Sequence, residues 1–125
     1  MTNPSATRDR YPYQNEPIWS RSERTVARVA FDAALKRELR EIMQEAKQMA
    51  KQINEPAGLW DLEHYLTQRR KDIDRKYDFR TSRLTRVLGR LLHEHRLSEE
   101  ELRGLREDKL KAIDSCAHFL AEDAA

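Results

Sequence analysis

From Trp19 to Glu55 the chain contains neither glycine nor proline, and that fact limits what the segment can become. A run this long, rich in Ala, Leu, Glu, Lys and Arg, favours helix, because those side chains lose little rotamer freedom there. Apolar residues recur as Val26, Val29, Ala30, Ala33, Leu39, Ile42, Met43, Ala46, Met49, Ala50 and Ile53. From Leu39 onward the spacing is three and four, the pattern of a narrow seam facing another helix. Ser20 or Ser22 can cap the start, and Pro56 disfavours helical geometry at Glu55. The spacing therefore predicts a first helix of roughly 30 residues, about 45 Å long.

A turn around Asn54 to Gly58 leads into a second seam of Leu59, Leu62, Leu66, Ile73, Tyr77, Leu84, Val87, Leu88, Leu91 and Leu92. So brief a turn places the second helix antiparallel beside the first. Helix is expected to about His95, with Asp78 to Ser82 able to hold a bend. Ser98 and Glu101 have capping-box spacing and open a third helix carrying Leu102, Leu105, Leu110, Ile113, Ala117 and Leu120. Residues 1–16 read as a loosely attached N-terminal arm, with Tyr11 and Tyr13 as tail residues ahead of the alternative of a latch. Residues 17–120 form one domain, a stalk over about 20–80 and a head over about 81–120, and residues 121–125 fray.

Two long helices with a narrow stripe have little to bury it against, and a short third helix covers only one end. A second copy of the chain solves this. The expected fold is all-α: a long antiparallel helical hairpin stalk dimerising into a four-helix arrangement, with a small helical head at each end. Leu39, Ile42, Met43, Leu62, Leu66 and Ile73 are the residues expected at the dimer interface or in packing.

Chemistry is sparse. His93 and His95 are two apart, unlike the i, i+4 pair of a helical zinc site, so no metal is expected. Cys116 and His118 point apart on a helix, which leaves the cysteine structural, and the three isolated glycines make no phosphate loop. No enzyme activity and no cofactor are expected. The chain has 24 basic and 22 acidic side chains, so its charge demands neither nucleic acid nor an anionic membrane as partner. One cysteine and the lack of an apolar run of about 20 residues indicate a reduced cytoplasm.

The densest charge lies in Arg69, Arg70, Lys71, Arg75, Lys76, Arg80, Arg83, Arg86 and Arg90, opposed by Asp72, Asp74 and Asp78. Lys76, Arg80, Arg83, Arg86 and Arg90 fall near one face. Three readings stand: a solvated face with internal pairs such as Asp74 and Asp78 against Arg70 and Lys71, a docking patch for an acidic protein, and a track for phosphates, the least favoured. Trp19 and Trp60 each either staple a helix start or serve as a binding anchor; packing is the preferred reading for both.

Trp19-Ser20, Phe31, Ala34, Arg37-Glu38-Leu39, Leu59-Trp60, Leu62, Leu66, Arg70, Ile73-Asp74, Lys76-Tyr77-Asp78, Arg80, Ser82, Leu91-Leu92, Glu101-Leu102 and Asp108-Lys109 form an ordered series. It resembles the fluorescence recovery proteins of cyanobacteria and their relatives elsewhere. The resemblance implies a dimeric, all-helical regulator that binds the C-terminal domain of photoactivated orange carotenoid protein and speeds its return to the resting form. It also implies a docking surface using a tryptophan, an acidic residue and an arginine. Trp60 and Arg70 match two of these; His64 stands at the acidic position, with Glu63 beside it as a partial replacement. In the head, Arg86 stands where the family has phenylalanine, Ala112 where it has lysine, and His95 where a glycine takes the left-handed conformation.

Overall fold

The computed structural model describes residues 18–124, so the arm with Tyr11 and Tyr13 lies outside it. Among the described residues four α-helices follow in order: α1 (Arg21–Lys51), α2 (Pro56–Lys76), α3 (Thr81–His93) and α4 (Glu107–Ala124). A single 3₁₀ turn, Glu99–Leu102, sits between α3 and α4. None of these helices is long and apolar enough to cross a membrane.

The first helix follows the local signals. Ser20 Oγ accepts a hydrogen bond from the Glu23 N–H at 3.1 Å, and the Glu23 carboxylate accepts one from the Ser20 N–H, a complete capping box. The helix then runs 31 residues to Lys51. Pro56 occupies the start of α2, where its missing N–H costs nothing, and the chain returns antiparallel.

The second helix departs from expectation, because it does not continue to His95 but stops at Lys76. Its last residue turns inward and is buried: Lys76 Nζ donates to both Glu38 oxygens, at 2.9 and 2.8 Å, and to Glu94 Oε1 at 2.8 Å. Tyr77 donates its hydroxyl to Glu38 at 2.8 Å. Tyr77 and Phe79 set their rings edge-on to Phe31, at centroid distances of 5.3 and 5.1 Å. Asp78 accepts from the Arg80 N–H and side chain and so shapes the turn into α3. The expected bend is a true break, made by contacts with α1.

The third expected helix is also corrected. Ser98 and Glu101 do form a capping box, but it opens only the 3₁₀ turn. Leu102 and Leu105 are drawn into the core, Gly104 takes φ +108°, and the Arg106 N–H is held by Glu23 Oε2 at 2.9 Å. Helix resumes at Glu107 and runs through the positions expected to fray, as far as Ala124. His95 has φ +60°, the left-handed conformation that the resemblance assigned to this turn.

The core sits in the head. Leu84, Val87, Leu88 and Leu91 form the buried face of α3 and meet Leu102, Leu105 and Ile113. Ala27, Ala30, Phe31 and Ala34 complete it, so the first half of α1 is part of this packing. Each fully buried aliphatic side chain contributes about 1.5–3 kcal/mol. Where α3 crosses α4, Gly89 allows close approach: a Cβ there would lie 2.5 Å from the Cβ of Cys116.

Two buried charge pairs fasten the helices. Besides Glu38 with Lys76, Glu23 of the first turn of α1 pairs with Lys109 of α4 at 3.2 Å, both side chains 2% exposed. Burial raises the Glu23 carboxyl, but hydrogen bonds from the Arg106 and Ser20 N–H groups and from Lys109 outweigh it and bring it down to about 2. Glu94 reaches about 2 as well, because hydrogen bonds from Lys76, Arg96 and Arg90 outweigh its burial.

Removing one partner of such a pair leaves the other charge buried. Lys76→Met is expected to cost about 3–5 kcal/mol in urea unfolding, far more than Lys71→Met on the exposed side. The lowered carboxyls also set a pH dependence. Their stabilisation is complete above the unfolded carboxyl value of 4.5 and disappears as pH falls from there toward about 2. Thermal melts across that window are expected to fall steeply, and Glu23→Gln to flatten the slope.

Candidate partner-binding surface

α2 carries the four side chains nominated for partner binding. Trp60, Glu63, His64 and Arg70 are all exposed. At roughly 100° per residue they fall within about 120° of the helix circumference, with Arg70 about 15 Å along the axis from Trp60. Glu63 and Arg70, seven apart, share one line. Arg69, one residue before Arg70 and turned toward α1, pairs with Asp72. Among the described residues, Arg70 has no carboxylate partner, and the expected pairing of Asp74 and Asp78 with Arg70 and Lys71 does not form. Asp78 turns instead to Arg80, whose side-chain hydrogen bonds bring its carboxyl down to about 2.

Trp60 is 65% exposed, against the preferred reading that it packs. Its phase explains why. The half-buried Leu62, Tyr65 and Arg69 mark the side of α2 that meets α1, and Trp60 lies about 180° from their centre, pointing directly away. Trp19 does pack: it is 6% exposed, with the Lys109 ammonium 5.8 Å from its ring centroid.

The nominated interface residues divide between contact and exposure. Ile42, Leu62 and Ile73 are half-buried, while Leu39, Met43 and Leu66 are exposed, at 43%, 57% and 41%. Leu59 is exposed too. On α1, Leu39 and Met43 are offset from the half-buried Ile42 and Met49 in the rotational sense of the advancing chain. On α2, Leu59 and Leu66 are offset from Leu62, Tyr65 and Arg69 in that same sense. Equal offsets in an antiparallel pair fall on the same side, so the hairpin has one open apolar face. Glu63 and Arg70 border it, and Trp60 stands beyond that border.

The head carries a concavity of its own. An open groove of about 830 Å³ is lined by His93, His95 and His118 together with Arg37, Arg96 and Glu101. Arg37 forks onto the Glu101 carboxylate at 2.9 and 2.8 Å and so holds the 98–102 turn against α1. Among the described residues, no three His, Cys, Asp or Glu side chains are grouped to hold a metal ion. Cys116 is half-buried and its thiol is pushed up by burial, the state of a packing residue. Sequence reasoning missed the Glu38–Lys76 lock and placed Lys76 on the basic face. The available signal was the spacing of Lys76-Tyr77, a charge and an aromatic at the foot of a helical seam.

Residues 19–117 match the family described as photoprotection regulator fluorescence recovery protein. Over 104 residues the chain is 36% identical to the fluorescence recovery protein of Synechocystis sp. PCC 6803, spanning 83% of this chain and 95% of that protein. The solved structure of the Fremyella diplosiphon fluorescence recovery protein aligns with a TM-score of 0.76 at 38% identity. That of the Synechocystis protein aligns with 0.77 at 36%. Each alignment covers 81% of this chain and 99% of the other.

An exposed indole turned away from its neighbouring helix contributes little to folding. Trp60→Ala is expected to change unfolding free energy by no more than about 0.5 kcal/mol. Leu88→Ala in the head core is expected to cost about 2–5 kcal/mol at the same protein concentration. Denaturation followed by circular dichroism separates the two, and a Trp60→Ala loss on the scale of Leu88→Ala would put the indole inside a core.

Proposed function

The chain belongs to the fluorescence recovery protein family, and from that membership we propose that it binds photoactivated orange carotenoid protein and speeds its return to the resting form. The family is one of photoprotection regulators and not of enzymes, so the activity to account for is recognition of another protein. The observation that carries this reading is Trp60, bare on the outer side of a helix whose inner side is committed to α1. An indole of this kind gains most when a partner buries it, and Arg70, without an ion pair among the described residues, can fork onto a partner carboxylate. The partner surface in this reading is its C-terminal domain. Holding both separated domains of the partner together raises their effective concentration and so favours reclosure.

The open apolar face of the hairpin supports a dimer. A second copy laid antiparallel on Leu39, Met43, Leu59 and Leu66 makes a four-helix arrangement and presents two copies of the Trp60 surface. A second reading, regulation of a different protein by the same fold, draws on His64, Arg86 and Ala112, which differ from the family pattern at positions tied to binding.

Following the dark recovery of photoactivated orange carotenoid protein with and without this chain separates the two. Acceleration is expected, together with at least about a tenfold loss of effect in Arg70→Leu. Helicity and the sedimentation of the dimer are expected to stay unchanged in that variant. Full activity of Arg70→Leu removes the arginine from the surface. A folded dimer with no effect on recovery moves the function to another partner.

A further inference from the structure

A second surface lies at the elbow where α2 gives way to α3. A groove of about 390 Å³ is lined by Arg75, Lys76, Asp78, Arg80, Arg83, Arg86, Val87 and Arg90. Six of these eight side chains are cationic and one is acidic. Three of the cations are already spoken for. Lys76 is held by Glu38 and Glu94, Arg80 by Asp78 at 2.6 Å, and Arg90 by Glu94 at 2.9 Å. Arg75, Arg83 and Arg86 are exposed and, among the described residues, have no carboxylate within ion-pair distance.

Concentrating unpaired guanidinium groups has an electrostatic cost that a solvated face avoids by interspersing carboxylates, as α1 does with Arg28 and Asp32. The groove adds a further positive element. α3 begins here with no acidic residue in its first turn and no side-chain cap, so the positive end of its dipole opens onto Arg80 and Arg83. The groove also shows how it treats a carboxylate. Arg80 Nε reaches both Asp78 oxygens at 3.0 Å, and its Nη2 reaches one at 2.6 Å.

We propose that this groove is a docking site for a short carboxylate-rich segment of another protein, engaged by Arg75, Arg83 and Arg86. Its dimensions favour that occupant over nucleic acid. Arg83, Arg86 and Arg90 span only about 10 Å of helix. Glu94, paired with Arg90 and with Arg96 at 2.8 Å, closes the positive stretch at one end, and Asp78 marks the other. A duplex binder spreads its cations over some six to ten phosphates, a longer track than this. Three guanidinium groups without a carboxylate partner among the described residues match two or three carboxylates. Arg83 and Arg86 lie on α3, a different helix from Trp60, and Arg75 lies at the far end of α2 from it, so the site is argued without reference to which protein the stalk surface takes.

The test uses the full chain and a short fluorescent oligoglutamate peptide, with binding followed by anisotropy at low salt. Saturable binding that weakens as salt rises is expected. The Arg83→Ala, Arg86→Ala double variant is expected to lose at least about tenfold in affinity, by removing two charge-assisted contacts. Arg103→Ala, at an exposed arginine just after the 3₁₀ turn, is expected to bind as the parent does. Both altered arginines are exposed, and a thermal melt matching the parent confirms folding. Absence of peptide binding, equal binding by the double variant, or displacement of the peptide by a lower concentration of short duplex DNA overturns the assignment. The double variant leaves Trp60 and Arg70 in place, and the peptide assay reads this groove without the carotenoid protein.

Discussion

A glutamate from the middle of the longest helix and a lysine from the end of the next are buried against each other, and the rest of the molecule is arranged around them. Glu38 and Lys76 are 38 residues apart in sequence, yet their charged atoms are 2.8 Å apart and almost wholly shielded from water. Such a pair does not by itself make a protein more stable than a well-packed apolar substitute, because desolvation offsets most of the attraction. What it imposes is direction. The ammonium has a fixed number of donors, and Glu94 and the two Glu38 oxygens take them, while Tyr77 and Arg96 complete the carboxylates. The end of α2, the middle of α1 and the end of α3 therefore have one mutual placement that satisfies all these groups. Tyr77 reflects the same enclosure: burial first, then its hydrogen bond to Glu38, pushes its hydroxyl well above the usual range.

On either side of this lock the chain solves its hydrophobic problem differently. Toward the head, Leu84, Leu88, Leu91, Leu102 and Ile113 are fully enclosed by the chain's own helices. Toward the hairpin tip, two helices alone cannot enclose their stripe, and Leu39, Met43, Leu59 and Leu66 remain open. The head is thus complete within one chain, whereas the hairpin has an apolar side suited to a partner surface. Charges show the same division. Glu23, Glu38, Lys76 and Lys109 are internal fasteners, while Arg70, Arg83 and Arg86 are left available.

What could be read from the sequence was what neighbouring residues determine. The first helix and its cap follow from Ser20, Glu23 and the lack of Gly or Pro before Pro56, all local facts. The break after Lys76 was only half legible, because Phe31 and Glu38, which make it, lie about 40 residues earlier. Ser98 and Glu101 misled for a physical reason: their capping box is the same whether three or many helical residues follow. What cut the helix short was the burial of Leu102 and Leu105 and the hold of Glu23 on the Arg106 N–H. The candidate site was legible by position but not by exposure. The phase of Leu62, Leu66 and Ile73 puts Trp60 on the opposite side of the helix, and that signal was present in the sequence. The large size of the indole weighed more in the reading than its phase.

The length of α1 limits the changes this chain can accept. One unbroken helix supplies Trp19's neighbours and Phe31 to the head, Glu38 to the lock, and Leu39 and Met43 to the open face. Inserting a single residue among them would rotate everything beyond it by roughly 100° and advance it by about 1.5 Å. Phe31, Glu38 and Leu39 could not then all face their present neighbours. Drift at this fold is therefore expected to proceed by exchanging side chains within a fixed length. Gains or losses of residues are better absorbed in the turn between Lys51 and Pro56, where the helical phase is already interrupted.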